Sequence, residues 1–196
     1  MLKTILIFVH LGSFALSFGL VLFCDIMMMS IPFKGNVTPR QLDFITAASA
    51  AIYKALVVLI VSGLLFLPYY YFYSAESLLN PKLYVKMLVV AILSVNGYWL
   101  HKKGIEVLKI GLTEDLRTKA NVPLLKKLLT SGGLSAISWW TAFLLGTFKE
   151  LNFKYSFLEM TSLYFILIAG MILSIEFFIK VVNGSIIMHR LGRIWN

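Results

Sequence analysis

Five apolar stretches divide this chain, each long enough to cross the hydrocarbon of a bilayer, and no other feature restricts its fold as strongly. A helix needs about 20 residues to span about 30 Å of hydrocarbon. Lipid offers no partner to an exposed backbone amide, so the amides must be satisfied within each helix. The stretches fall at 4–29, 44–72, 83–101, 129–148 and 157–182. The expected fold is an all-α, single-domain integral membrane bundle of five transmembrane helices. Apolar residues make up 59% of the chain and charged residues 14%, which leaves more apolar surface than one small soluble core can hide. Pro32, Pro39, Pro68, Pro81 and Pro123 fall at or beside the proposed helix ends, as expected of residues without an amide proton. Lys3 before an apolar run is reminiscent of a secretory leader, but the run is too long and lacks a small-x-small site, so it is expected to stay as the first span.

Charge sets the expected direction. The chain has 18 Lys and Arg against 9 Asp and Glu, a net charge of +9. Lys34, Arg40, Lys102, Lys103, Lys109, Arg117, Lys119, Lys126, Lys127, Lys180, Arg190 and Arg193 gather on one side, while Lys3, Lys82, Lys86, Lys149 and Lys154 take the other. The richer side is expected to be cytoplasmic, with the N-terminus outside and the C-terminus inside, as in a bacterial inner membrane protein. These residues flank apolar spans instead of forming a polar domain, so anionic lipid headgroups are the expected partner and nucleic acid is not. Tyr69, Tyr70, Tyr71, Tyr73, Tyr84, Phe153 and Tyr155 form an aromatic belt on the outer side. The segment 105–116 places Ile105, Leu108 and Leu112 at helical spacing and reads as an amphipathic or solvated extension of the third span.

Polar groups inside the spans are where function is sought, because charge in hydrocarbon is costly and collects in the bundle interior. They are His10, Asp25, Lys54, Lys86, Asn96, His101, Glu159 and Glu176. At about 1.5 Å of rise per residue, His10 and Lys86 lie at similar depth and His101 stands roughly 22 Å away, too far for the two histidines to clamp one iron. Asp25 and Lys54 are placed to pair across helices, and Asp25, Lys54, Glu159 and Glu176 outline an intramembrane charge network; Lys180 offers Glu176 a local partner. His10 reads equally as a haem or metal ligand and as an interhelical hydrogen-bond donor. His101 reads as interfacial, and His189 lies in a basic tail. The run SGGLSAISWW supplies a small-residue packing face, and Trp139 or Trp140 is placed to wall a flat cofactor or to pack in the core. Cys24 with Met27, Met28 and Met29 offers soft ligands that point around the helix, and a single cysteine excludes a disulfide or thiolate cluster within the chain.

The stretches FVHLGSFALSFGLVLF, with His10 ahead of Gly19, and PKLYVKMLVVAIL, with Lys86 opening a later span, are similar to the HemJ-type protoporphyrinogen oxidase family and more distantly to CopD-like copper-resistance membrane proteins. The likeness covers the first half of the chain. It departs where the family has a tryptophan before the glycine and where the third-span histidine is displaced to His101. It implies a haem role for His10 alone. The expected function is a haem-binding membrane redox protein that uses haem b and acts on a quinone or porphyrin. His10 is its axial ligand, and Lys86, Trp139 and Trp140 lie beside the cofactor. The alternatives are a small transporter or proton/metal-ion conduit, and a non-catalytic subunit that assembles with itself or another membrane protein.

Overall fold

The computed structural model describes the backbone of residues 1–192 and the side chains of residues 1–181, so the readings made for His189, Arg190 and Arg193 and the end of the fifth span at 182 lie outside the described side chains. The described residues are helical and contain no strand. In chain order the α-helices are α1 (Leu2–Met28), α2 (Ile31–Lys34), α3 (Pro39–Tyr73), α4 (Pro81–Trp99), α5 (Ile105–Ile110), α6 (Val122–Thr147) and α7 (Phe157–Gly192). Five helices are long and apolar enough to cross a membrane, with α4 continuing into α5 as one rod. Most large apolar side chains on their outer faces are exposed, as lipid contact requires; Phe8, Val95 and Leu173 are examples.

Helix ends follow local chemistry, and this moves several boundaries. α3 starts at Pro39, earlier than hydropathy indicates, because Thr38 and Gln41 form a capping box: Thr38 Oγ1 accepts from the Gln41 amide at 3.2 Å and Gln41 Oε1 accepts from the Thr38 amide at 2.9 Å. With 35 residues, α3 runs about 52 Å and outreaches the hydrocarbon thickness. Pro68 lies inside α3 and does not end it. α6 begins at Val122 with Pro123 in its first turn, which draws Lys126 and Lys127 from the expected connection into the helix. Pro81 opens α4 after Asn80, whose side chain accepts from the Lys82 amide at 3.1 Å.

α1 packs chiefly on α3, and α6 packs on α4 and α7. The small-residue face of α6 is buried at Ser131, Ser135 and Ser138, as the SGGLSAIS pattern indicates. Asn96 and Ser131 exchange two hydrogen bonds between α4 and α6, at 2.8 and 2.5 Å. Ser138 and Tyr164 join α6 to α7 at 2.8 Å.

Each end is tied. At one, Lys82 is buried and its ammonium donates to the Phe148 carbonyl at 2.6 Å and to Asn152 Oδ1 at 3.1 Å, a cation at the C-terminus of α6. Exposed Tyr71, Tyr73, Tyr84, Phe153 and Tyr155 surround this end. At the other end, the connection after α5 folds onto α2: Val37 N donates to Gly111 O and Leu116 N to Gly35 O, each at 2.8 Å. Ile31, Val37, Leu108, Leu116 and Leu128 form a closed apolar cluster there. Segment 105–116 therefore caps the bundle; Leu108 and Leu116 are core residues, and only Leu112 of the expected stripe is exposed. Gly35 has φ +81, and a Cβ there would fall on the Asp115 and Arg117 side chains, so this turn requires glycine. Arg117 reaches the Phe33 carbonyl at 2.6 Å and pairs with Asp115 at 2.8 Å, a bond that raises the guanidinium pKa further above its usual value.

Candidate functional site

Two histidines are held in the same way at opposite ends of α3. His10 of α1 bonds Ser62 through Nδ1 at 3.0 Å, and His101 bonds Ser49 through Nδ1 at 3.1 Å. A serine hydroxyl has one proton to give. That of Ser62 goes to the Val58 carbonyl at 2.7 Å, and that of Ser49 to the Thr46 carbonyl at 3.0 Å. With the serine protons on those carbonyls, each serine oxygen accepts from Nδ1 and the neutral ring keeps its lone pair on Nε2; the opposite tautomer has the serine donating to Nδ1. The serines are 13 residues apart, about 20 Å along α3, so the histidines serve separate places.

Around His10 the chain is small and apolar. Phe66 meets the ring edge-on at 5.6 Å, and Gly63 leaves open the space beside Cε1 that a side chain would crowd. Lys86 is half-buried, lies within electrostatic reach of His10 and forms no ion pair among the described residues. One turn beyond His10, Phe14 packs on Trp139 at 5.6 Å and stacks on Phe18 at 5.5 Å. Trp139 is 1% exposed and Trp140 is 47% exposed. Trp139 therefore belongs to the core, while Trp140 turns outward, with Phe18 edge-on to it at 5.1 Å.

A cavity of about 90 Å³ lies beyond that aromatic layer, lined among others by Asp25, Ser49, Tyr53, His101 and Trp139. The rings of Tyr53 and His101 stack at 5.8 Å. His101 lies in a π turn, Leu100–Gly104, between α4 and α5. The wider turn inserts a residue and re-aims the face that follows, a feature common at functional sites. A second, open groove between α3 and α4, lined by Leu67, Pro68 and Tyr84, is almost wholly apolar. Neither space borders His10.

The structure does not assemble the expected charge network. Lys54 is exposed and forms no ion pair with Asp25 among the described residues, because the helix turns it outward beside exposed Tyr53. Glu159 caps its own helix: Oε2 accepts from the Ser156 amide and hydroxyl, each at 2.8 Å. Glu176 pairs with Lys126 of α6 and not with Lys180. Cys24 is buried, Met29 exposed, and no group of three His, Cys, Asp or Glu among the described residues is placed to hold a metal ion.

Sequence reasoning singled out His10, Lys86 and Trp139 and passed over Ser49, Tyr53 and Ser62. Serines in an apolar helix were a weak signal, since such a hydroxyl can bond back to a carbonyl of its own helix, as Ser13 and Ser94 do. Comparison with protein-family profiles, with curated proteins and with solved structures finds no match for this chain, so its chemistry is read from its own residues. At His10 the chain supplies one imidazole held by Ser62 and, within electrostatic reach, the Lys86 ammonium, which forms no ion pair among the described residues.

Proposed function

We propose that this chain is an integral membrane protein that binds haem b, or a similar flat redox cofactor, and passes electrons to or from a quinone or porphyrin. The observation that supports the reading is the His10–Ser62 bond, which leaves a metal-binding lone pair on Nε2 when Nδ1 carries the hydrogen. Bound there, haem supplies reversible one-electron transfer. Ser62 holds the ring against rotation, much as the outer partners of ligating histidines do, and strengthens its basicity. Lys86 compensates an acidic substituent such as a propionate. The apolar surroundings of Phe14 and Phe66 exclude water. In this reading the end that holds α2 and α5 faces the cytoplasm, since Lys34, Arg40, Lys102, Lys103, Lys109, Arg117 and Lys119 cluster there beside anionic headgroups, and the membrane is a bacterial inner membrane.

The test is absorption spectroscopy of the purified protein, oxidised and then reduced, with haem content measured after extraction. Wild type is expected to show a Soret band that His10→Ala loses. A colourless wild type that takes up no added haemin, or a His10→Ala protein with full haem content, overturns the assignment.

A further inference from the structure

The long helices fall into two packed groups: α1 packs chiefly on α3, while α4, α6 and α7 pack on one another. Polar bonds within the bundle respect this division. His10–Ser62 lies in the first group, and Lys82–Phe148, Asn96–Ser131 and Ser138–Tyr164 lie in the second. The bonds that join the groups gather at the end that holds α2 and α5. There Ser49 meets His101, Arg117 reaches the Phe33 carbonyl, and backbone amides link Val37 to Gly111 and Leu116 to Gly35. The apolar cluster at this end also draws on both sides, with Ile31, Ile45 and Ala48 from one and Leu108, Leu125 and Leu128 from the other.

The tyrosine-rich end is built differently. Its buried cluster, Val85, Val89, Leu145 and Tyr164, belongs wholly to α4, α6 and α7. Ile5, Ile7, Phe8 and Val9 point around α1 and are all exposed, so the second group does not enclose the first turns of α1. No side-chain hydrogen bond or ion pair among the described residues joins the two groups at this end. Instead α3 and α4 part around the open apolar groove lined by Leu67, Tyr71, Leu83 and Tyr84. The connection 74–80 tethers α3 to α4 but reaches about 24 Å when extended, so it does not clamp them.

An apolar helix face loses little when lipid replaces its neighbour, because acyl tails are as apolar as the face itself. A polar bond broken in hydrocarbon leaves groups that lipid cannot satisfy. The seam is therefore weakest at the tyrosine-rich end and strongest at the α2–α5 cap. His10 stands on one side of this seam and Lys86 on the other.

We infer that the bundle opens at its tyrosine-rich end, α1 and α3 swinging away from α4, α6 and α7 about the α2–α5 cap. This lateral door admits a flat, bilayer-dissolved ligand to the space between His10 and Lys86. The opening rests on the packing; the identity of the ligand rests on the proposed haem-binding role of His10. A ligand that engages both residues supplies the polar link that the seam lacks, so it favours the closed form.

The experiment measures spin-label distances by double electron–electron resonance in the full chain, in lipid nanodiscs, on a Cys24→Ala background. Labels on cysteines at the exposed positions Ile5 and Leu158 report across the open end, at Asp43 and Lys109 across the cap, and at Ile5 and Tyr71 within one group. The first pair is expected to show a second, longer distance that added haemin depletes, and the other two a single narrow distance each. In a companion variant, Leu67→Cys with Tyr84→Cys, a short thiol-cleavable cross-linker closes the groove. Bridging is expected to slow haemin uptake at least about tenfold, and reductant to restore it in the same molecules. A single narrow distance for Ile5 and Leu158, equal broadening at the cap, or unchanged haemin uptake by the bridged protein overturns the inference. A chain that opens yet takes up no haemin overturns the haem reading and keeps the opening; one that binds haemin without opening overturns the door alone.

Discussion

Ser138 and Tyr164 share one bond, yet its two ends should not cost the same to remove. The Ser138 hydroxyl lies 2.6 Å from the Leu134 carbonyl, and with its proton there Tyr164 is the donor in the 2.8 Å bond between them. Tyr164 is 1% exposed and Ser138 0%, so neither finds water when its partner is removed. Tyr164→Phe leaves Ser138 still bonded to Leu134 and forfeits only the net worth of one interhelical bond, about 0.6 kcal/mol. Ser138→Ala strands the phenolic hydroxyl in the core, at about 1–3 kcal/mol, or about 5- to 150-fold in the folding equilibrium. The double variant removes the stranded group together with its partner and should be more stable than Ser138→Ala alone. Reversible unfolding in mixed detergent–SDS micelles measures all four species. Equal costs for the two single variants, or a double variant at the sum of both, would refute the donor assignment and the asymmetry built on it.

Gly35→Ala is expected to lower stability by at least about 1–3 kcal/mol, since φ is +81 and the new Cβ meets Asp115; the same unfolding assay, with proteolysis of the α2–α3 connection, checks it. Lys82→Met loses two charge-assisted bonds but no longer buries an ammonium, and a net destabilisation of about 1–3 kcal/mol should appear in the unfolding midpoint. Ser62→Ala frees the His10 ring and is expected to weaken haem binding about 10- to 100-fold, read by haemin titration, while the fold survives. Lys54→Gln, at an exposed position without an ion pair, should stay within about 0.5 kcal/mol of wild type in the same micelles.

The helices were readable because a bilayer imposes a length and a polarity that hydropathy captures directly. Their ends were readable at Pro81 and near Phe157, and missed at Thr38, whose capping box extends α3 beyond the apolar stretch. Pairing across helices was not readable. Whether Lys54 turns toward Asp25 or away depends on the rotation of α3 against α1, which no local pattern encodes. Glu159 looked like a buried charge because it falls inside an apolar stretch, yet three residues from Ser156 it completes a capping box. His101 fell at the expected boundary of the third span, and its contacts with Ser49 and Tyr53 join helices far apart in sequence, which no local pattern encodes.

α1 packs chiefly on the next long helix of the chain. That adjacency bears on how the protein is made. The first two long helices precede α6 and α7 in the chain, so both partners of the His10–Ser62 contact are synthesised before them. The lysine opposite it arrives later, on a helix whose main partner is α6. A site that needs both His10 and Lys86 is therefore complete only once α4 has been made.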